Sequence, residues 1–253
     1  MITLASDFGS PYPAAMKGAI LRQADAQLVD VAHDLPRQDV RAAAFWLREV
    51  LPEFPPAVHL AVVDPGVGTD RDVLAIEADG HVLVGPDNGL LLPAAREIAT
   101  DDFQVYDVDY GHPRSTTFHG RDVFAPLAGE IHERGLALPG DDHRFTATDA
   151  FVDLTFPAPK RRGDEVHGEI LVVDGFGNAI TNVSGDVLDG RFGETVLVNG
   201  DATPVRRTYA TVEPGQQLVT VGSHGNVELA VNRGRGDDAF GVTTGAAIRL
   251  TLD

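Results

Sequence analysis

The sequence predicts an α/β fold in two parts: an N-terminal α/β sandwich-type domain with a parallel-rich sheet, and a smaller C-terminal all-β barrel. Three observations predict it. First, the N-terminal part alternates short apolar runs with helically spaced apolar positions, as in wound α/β units. Second, from Asp141 to Gly163 the chain turns polar and proline-containing, and Pro157-Ala158-Pro159-Lys160-Arg161-Arg162-Gly163 has linker texture. Third, beyond that point short apolar runs are divided by Gly and Asn turns and helical periodicity nearly vanishes, which fits a barrel or sandwich. The expected boundaries are an N-terminal domain over 1–155, a linker over 156–166 and a C-terminal domain over 167–253.

Each element follows from local pattern. Ile2 to Ala5 is an apolar run of strand type, and Pro13 to Ala24 has helical spacing. Gln27 to Val31 is a second strand. Asp39 has the chemistry of an N-cap for a helix over Val40 to Val50, with Ala43, Trp46, Leu47 and Val50 on one face. Val58 to Val63 is nearly unbroken apolar sequence, as in a strand covered on both faces. Strands over Val73 to Ile76 and His81 to Val84 flank the turn Ala78-Asp79-Gly80, and helices follow over Leu90 to Ala99 and Val123 to Gly135. In the C-terminal part, strands are expected over Gly168 to Val173, Thr195 to Val198, Gln217 to Val221, Val227 to Val231 and Ala247 to Leu250.

Composition narrows the function. The chain has 253 residues, 43% hydrophobic, enough to fill cores and to argue against disorder. No apolar run is long enough to span a bilayer, and MITLASDFG lacks the basic and apolar regions of a secretory signal, so a cytoplasmic protein with no membrane partner is expected. Without cysteine there is no disulfide, thiolate nucleophile or cysteine-ligated metal. Formal net charge is −18, and Lys17 and Lys160 are the only lysines among 20 basic residues. A scattered acidic excess argues against nucleic acid, which needs a basic stripe. An acidic, lysine-poor chain also fits solubility in concentrated salt, so a halophilic host is expected over an ordinary acidic protein.

Three carboxylates fall at the ends of expected strands: Asp7, Asp64 and Asp87. In open α/β sheets, ligands bind beyond the carboxyl ends of the strands, where a carboxylate can hold a sugar diol or polarise water. Asp64-Pro65-Gly66 and Asp87-Asn88-Gly89 are also ordinary turn sequences, so each Asp taken singly has a plain structural explanation. His119 stands between Phe118 and Gly120 at a helix start and has the chemistry of a base, or of a half-buried hydrogen-bonded residue. Arg71 follows the loop from Asp64 to Thr69; it is either a surface ion-pair partner or a fixed positive charge folded back toward Asp64. His33, His112, His119 and His224 have no metal-ligand spacing, and no dinucleotide or phosphate-loop glycine pattern occurs, so no metal and no cofactor are expected.

One ordered set of motifs runs along almost the whole chain. It comprises Ser6-Asp7-Phe8-Gly9, Met16-Lys17-Gly18, Val63-Asp64-Pro65-Gly66-Val67-Gly68, Gly85-Pro86-Asp87-Asn88-Gly89-Leu90 and Thr117-Phe118-His119-Gly120-Arg121-Asp122. Asp174-Gly175-Phe176-Gly177-Asn178, Ile180-Thr181-Asn182, Gly222-Ser223 and Glu228-Leu229-Ala230-Val231-Asn232 continue it. In this the chain resembles the S-adenosylmethionine hydroxide adenosyltransferase family, relatives of the fluorinase and chlorinase. The resemblance implies an N-terminal α/β domain, a C-terminal β-barrel, and a homotrimer with sites between one subunit's N-terminal domain and its neighbour's C-terminal domain. The implied reaction is hydrolysis of S-adenosylmethionine to adenosine and methionine, with S-adenosylmethionine as substrate and no cofactor.

The resemblance also assigns roles. Asp64, Arg71 and His119 match the set that handles the attacking water, and Asp7, with Phe8 beside it, matches the residue that holds the ribose hydroxyls. Asn178 and the backbone near Val231 and Arg233 match adenine contacts, with Phe176 and Tyr209 as flanking rings. Asp174 and Ser223 match positions at the amino and carboxylate ends of methionine, and Glu228 lies in the matching strand and is counted with the substrate-binding residues. The fluorinase has tyrosine where Asp64 stands, serine where Gly120 stands, and an extra loop after the Arg71 region, so this chain is more similar to the hydroxide users. It departs from the family in the short Gly9-Ser10-Pro11-Tyr12 segment, which lacks a usual acidic residue. A non-catalytic binder of the same ligand, a halogenase and a metal-dependent nucleotide hydrolase stay open as alternatives.

Overall fold

A computed structural model of the chain describes residues 1–252 except 70, 112–113, 137 and 139–141. His112, one of the scattered histidines, and Asp141, where the texture begins to change, lie outside the described residues. Two units divide the chain, Met1–Thr155 and Phe156–Asp253.

The first unit runs β1 (Ile2–Ser6), α1 (Tyr12–Leu21), β2 (Leu28–Ala32), α2 (Val40–Val50), β3 (Val58–Val62), β4 (Val73–Ala78), β5 (His81–Pro86), α3 (Leu92–Ile98), β6 (Gln104–Val108), α4 (Ala125–Glu133) and β7 (Phe145–Ala147). Its sheet has the order β2-β1-β3-β5-β4-β6-β7. The first four strands of that order pair in parallel, and β4, β6 and β7 extend the sheet in antiparallel fashion. Side chains alternate between faces along a strand. Ile2, Leu4, Leu60, Val62 and Val84 therefore share one core with Met16 and Ile20 of α1 and with Ala128 and Ile131 of α4. Thr3 and His59 lie at the alternate positions. There His59 Nδ1 is 2.8 Å from Thr3 Oγ1 and its Nε2 is 2.8 Å from His81 Nδ1, a polar row fully inside the protein. Helix α2 starts as its sequence predicts, with the Asp39 side chain accepting from the Ala42 amide at 3.0 Å.

Some boundaries differ from expectation. Helix α1 stops at Leu21, three residues before Ala24, and the last helix expected from Val123 begins with a π turn over Gly120–Phe124 before α4. Strands β6 and β7 are additions, since their mixed burial leaves no clean apolar run to read.

The second unit contains β8 (Lys160–Arg162), β9 (Glu165–Val173), β10 (Ala179–Ser184), β11 (Thr195–Val198), β12 (Asp201–Pro204), β13 (Gln217–Val221), β14 (Asn226–Val231), the short helix α5 (Gly236–Phe240) and β15 (Ala247–Thr251). The main path is β12-β11-β15-β9-β10-β14-β13, and β8 pairs with β9. A bridge between Val205, just past β12, and Val219 in β13 brings the two ends of that path together, giving a nearly closed barrel. Closure leaves little unpaired edge. Ile170, Val183, Val196, Val219, Leu229, Ile248 and Leu250 fill its core. Lys160–Arg162, within the segment of linker texture, is thus an exposed strand paired to β9.

Candidate active site

Asp7 follows β1, Asp64 lies just beyond β3 and Asp87 follows β5. Because β1, β3 and β5 are adjacent parallel strands, the three residues emerge at one edge of the sheet. A cavity of about 530 Å³ opens there, lined by Asp7, Phe8, Tyr12, Asp64, Phe118 and His119 among others. That volume falls in the range of small-molecule sites.

Asp64 closes its turn and meets Arg71 with the same oxygen. Its Oδ1 accepts from the Gly66 amide at 2.9 Å, closing the turn, and the same atom is 3.0 Å from Arg71 Nε. The Asp64 side chain is only 5% exposed, so this ion pair is shielded from water on the carboxylate side. Arg71 also donates from Nη1 to the Asp87 carbonyl at 2.9 Å, which fixes its guanidinium at two points. Arg71 stands behind Asp64 and faces a smaller recess with Thr69, Asp72 and Asp87. Burial, followed by the nearby Asp72 charge, pushes the Asp87 carboxyl up from its ordinary value, while Val152 donates its amide to Asp87 Oδ1 at 2.8 Å. Asp87 therefore supports the back of the arginine and anchors a later segment.

His119 is 8% exposed and caps the π turn over Gly120–Phe124. Single π turns inside helices recur at functional sites. Its ring lies 6.1 Å from that of Tyr110. Gly120 keeps the wall tight, since a Cβ there would meet Phe8 at 2.9 Å and Phe118 at 3.2 Å. Gly68, at φ +83, lets the Asp64 loop approach the Thr116 carbonyl, 2.6 Å from where a Cβ would stand. The rings of Phe8, Tyr12 and Phe118 meet edge to face at 5.4 to 6.5 Å and form an aromatic wall beside the carboxylates.

Asp7 is held from the side, its Oδ2 accepting from the Gln38 amide at 2.8 Å. Gln38 takes φ 58, a left-handed conformation uncommon outside glycine, to deliver that amide. Tyr12, Val67, Arg37 and Gln38 also line the cavity, and nothing in local pattern marks the loop carrying Arg37 and Gln38 as one that folds over from β2. Tyr12 carried a signal: a large aromatic directly after the shortened Gly9-Ser10-Pro11 segment, and it is 54% exposed.

The remaining predicted residues lie in the second unit. Asp174 organises the turn after β9. Its Oδ1 accepts from the amides of Phe176 and Asn178 at 2.9 and 2.8 Å, and its Oδ2 accepts from Asn178 Nδ2 at 2.9 Å. This turn leaves the Phe176 ring 82% exposed. Ser223 sits in the β13–β14 hairpin, where the Gly222 amide donates to Asn226 at 2.9 Å. Glu228 is 3% exposed on β14 and accepts from the Tyr209 hydroxyl at 2.5 Å. Val231 ends β14, and Arg233, at φ 57, turns the chain out of it. Among the described residues no group of three or more His, Asp or Glu side chains is arranged to hold a metal ion, and no helix is long and apolar enough to cross a membrane.

Comparison with known proteins covers both units. Residues 2–138 match the SAM hydroxide adenosyltransferase N-terminal domain, and residues 168–249 match the C-terminal domain of the same family. A protein of Salinispora tropica named (R)-S-adenosyl-L-methionine hydrolase is 38% identical, with 99% of this chain and 97% of that protein covered. One of the same name from Thermus thermophilus is 40% identical, with 97% of each covered. Among solved structures, an uncharacterized conserved protein from Thermotoga maritima superposes with a TM-score of 0.86 at 30% identity, covering 99% of this chain and 100% of that one. With both domains matched in order, and relatives this similar over nearly their full length, the chain belongs to the SAM hydroxide adenosyltransferase family.

Proposed function

We propose that this protein is an enzyme that hydrolyses S-adenosyl-L-methionine to adenosine and L-methionine, and that the (R) epimer named for its relatives is its substrate. The observation that carries this is that Asp64 and His119 line one cavity, with Arg71 paired to Asp64. A binder that only held the ligand would need no such arrangement.

The chemistry follows from charge. The substrate is a sulfonium cation, and attack of a water oxygen at ribose C5′ forms the C–O bond as the C–S bond breaks. The sulfur takes the electron pair and leaves as the neutral thioether of methionine, and the water gives up one proton. Asp64 or His119 accepts that proton, and the other orients the water. The Arg71 charge favours the hydroxide-like form of the nucleophile. Excluding bulk water strengthens each of these interactions, and binding water and substrate side by side aligns oxygen, carbon and sulfur. Asp7 holds the ribose hydroxyls, and Asp174, Phe176, Asn178, Ser223, Val231 and Arg233 serve the adenine and methionine ends. A cytoplasmic homotrimer that completes each site at a subunit boundary belongs to the same proposal, and the 82% exposed Phe176 ring supports it as a surface awaiting a partner.

The test is incubation with each sulfonium epimer in ¹⁸O-water. Adenosine labelled at the 5′ oxygen, together with methionine, supports the proposal. Binding without turnover, or a 5′-halo nucleoside when halide is added, overturns it.

A further inference from the structure

Glu228 is a buried carboxylate whose chemistry the hydrolysis does not require. It sits on β14, paired across to Ile180 of β10 and Thr220 of β13, and it is 3% exposed. Burying a carboxylate is costly unless its oxygens are engaged. Here both oxygens face partners within the barrel. Oε1 accepts from the Tyr209 hydroxyl at 2.5 Å, and Oε2 lies 3.8 Å from His224 Nε2. The space for this group comes from Gly222, where a Cβ would stand 2.6 Å from Glu228 Oε2 and 2.5 Å from His224 Cε1.

Tyr209 begins a short 3₁₀ turn, Tyr209–Thr211, and is 41% exposed, so its ring reaches solvent while its hydroxyl is tied inward. No side chain caps that turn. Burial, then the bond to Glu228, raises the phenol above its ordinary range, and burial raises the Glu228 carboxyl as well. The raised phenol keeps its proton around neutral pH, where it donates to Glu228.

We propose that Glu228 is a positioning residue that touches no part of the substrate but locks the Tyr209 ring in the orientation that receives the adenine base. The inference rests on the function proposed above and deepens it. A ring fixed before binding loses less entropy when a base stacks on it.

The test is a double-mutant cycle read by calorimetric binding of adenosine to the full-length protein. Tyr209→Phe and Glu228→Ala are each expected to weaken binding about fivefold, the scale of one hydrogen bond. The double variant is expected to be no weaker than either single one. Glu228→Gln, whose amide oxygen still accepts from the phenol, is expected to recover most of the affinity and keeps the test readable should Glu228→Ala fold poorly. A fivefold loss from Glu228→Ala that persists in the Tyr209→Phe background would mean that Glu228 meets the ligand directly, and overturns the proposal. So does Glu228→Gln binding no better than Glu228→Ala, or Tyr209→Phe binding like wild type. Wild-type protein that binds no adenosine at all overturns the underlying function instead.

Discussion

Arg71 Nε approaches Asp64 Oδ1 to 3.0 Å across a space that exists because residue 66 is glycine. A Cβ at Gly66 would overlap the guanidinium at Nη2. The turn residue and the charged pair are therefore one device. The Asp64 oxygen that closes the turn on the Gly66 amide is the oxygen that meets Arg71.

Gly66→Ala is accordingly expected to displace Arg71 without unfolding the loop, because Gly66 does not need a left-handed backbone. The rate of adenosine formation should fall at least about tenfold, equal to about 1.4 kcal/mol of transition-state stabilisation. Parallel activity and thermal-melt measurements check this. An unchanged rate would mean that the pair does not act on the water.

Asp64→Asn separates the two functions of Asp64. Asparagine retains an oxygen for the Gly66 amide but loses the charge, so Tm should move by less than about 4 °C. The rate should fall by about two orders of magnitude or more, as should that of His119→Ala. Equilibrium binding of substrate should persist in both, which separates loss of chemistry from loss of the cavity. Near-normal turnover in both variants would remove them from the mechanism.

The histidine row behind the sheet predicts an acid-sensitive fold. Burial, followed by the neighbouring His81, pushes His59 down to about 3 from its ordinary 6.5, and burial also lowers His81. The unfolded chain binds a proton at His59 that the folded chain refuses between those two values. Stability from this source is complete above about pH 6.5 and declines as pH falls toward 3, by on the order of 5 kcal/mol for His59. Melting curves of wild type and His59→Gln from neutral to acid pH should converge as pH drops. Parallel curves would show that His59 contributes nothing to the acid limb.

A formal charge of −18 predicts a stability that rises with salt. Raising ionic strength from about 0.01 M to about 1 M shortens the screening length from about 30 Å to about 3 Å, which removes most repulsion between surface carboxylates. Tm in potassium chloride should climb across that range, and a flat or falling curve would dissociate the acidic surface from salt tolerance.

The strand ends carrying Asp7, Asp64 and Asp87, the capped helix after Asp39 and the strand-rich character of the C-terminal part were legible in local pattern, because each depends on neighbours in sequence. So were the turns at Asp64 and Asp87. Strand β10 is absent from the strands expected above, since Ala179–Ser184 mixes apolar residues with Thr181 and Asn182. Thr181 is buried and satisfied by the Val227 carbonyl at 2.8 Å, a partner 46 positions away.

What sequence by itself determined was the inventory: which residues carry charge, where the chain turns, and which motifs it shares with its family. Tertiary structure decided which of them meet. Asp64 and His119 line one cavity, while Asp87 and Arg71 line a separate recess. Gln38 crosses from another loop to hold Asp7, and Glu228 turns inward to Tyr209. The physical reason is that strand order and loop approach are set by packing between residues far apart in the chain. A periodicity read over ten residues contains no information about such pairings.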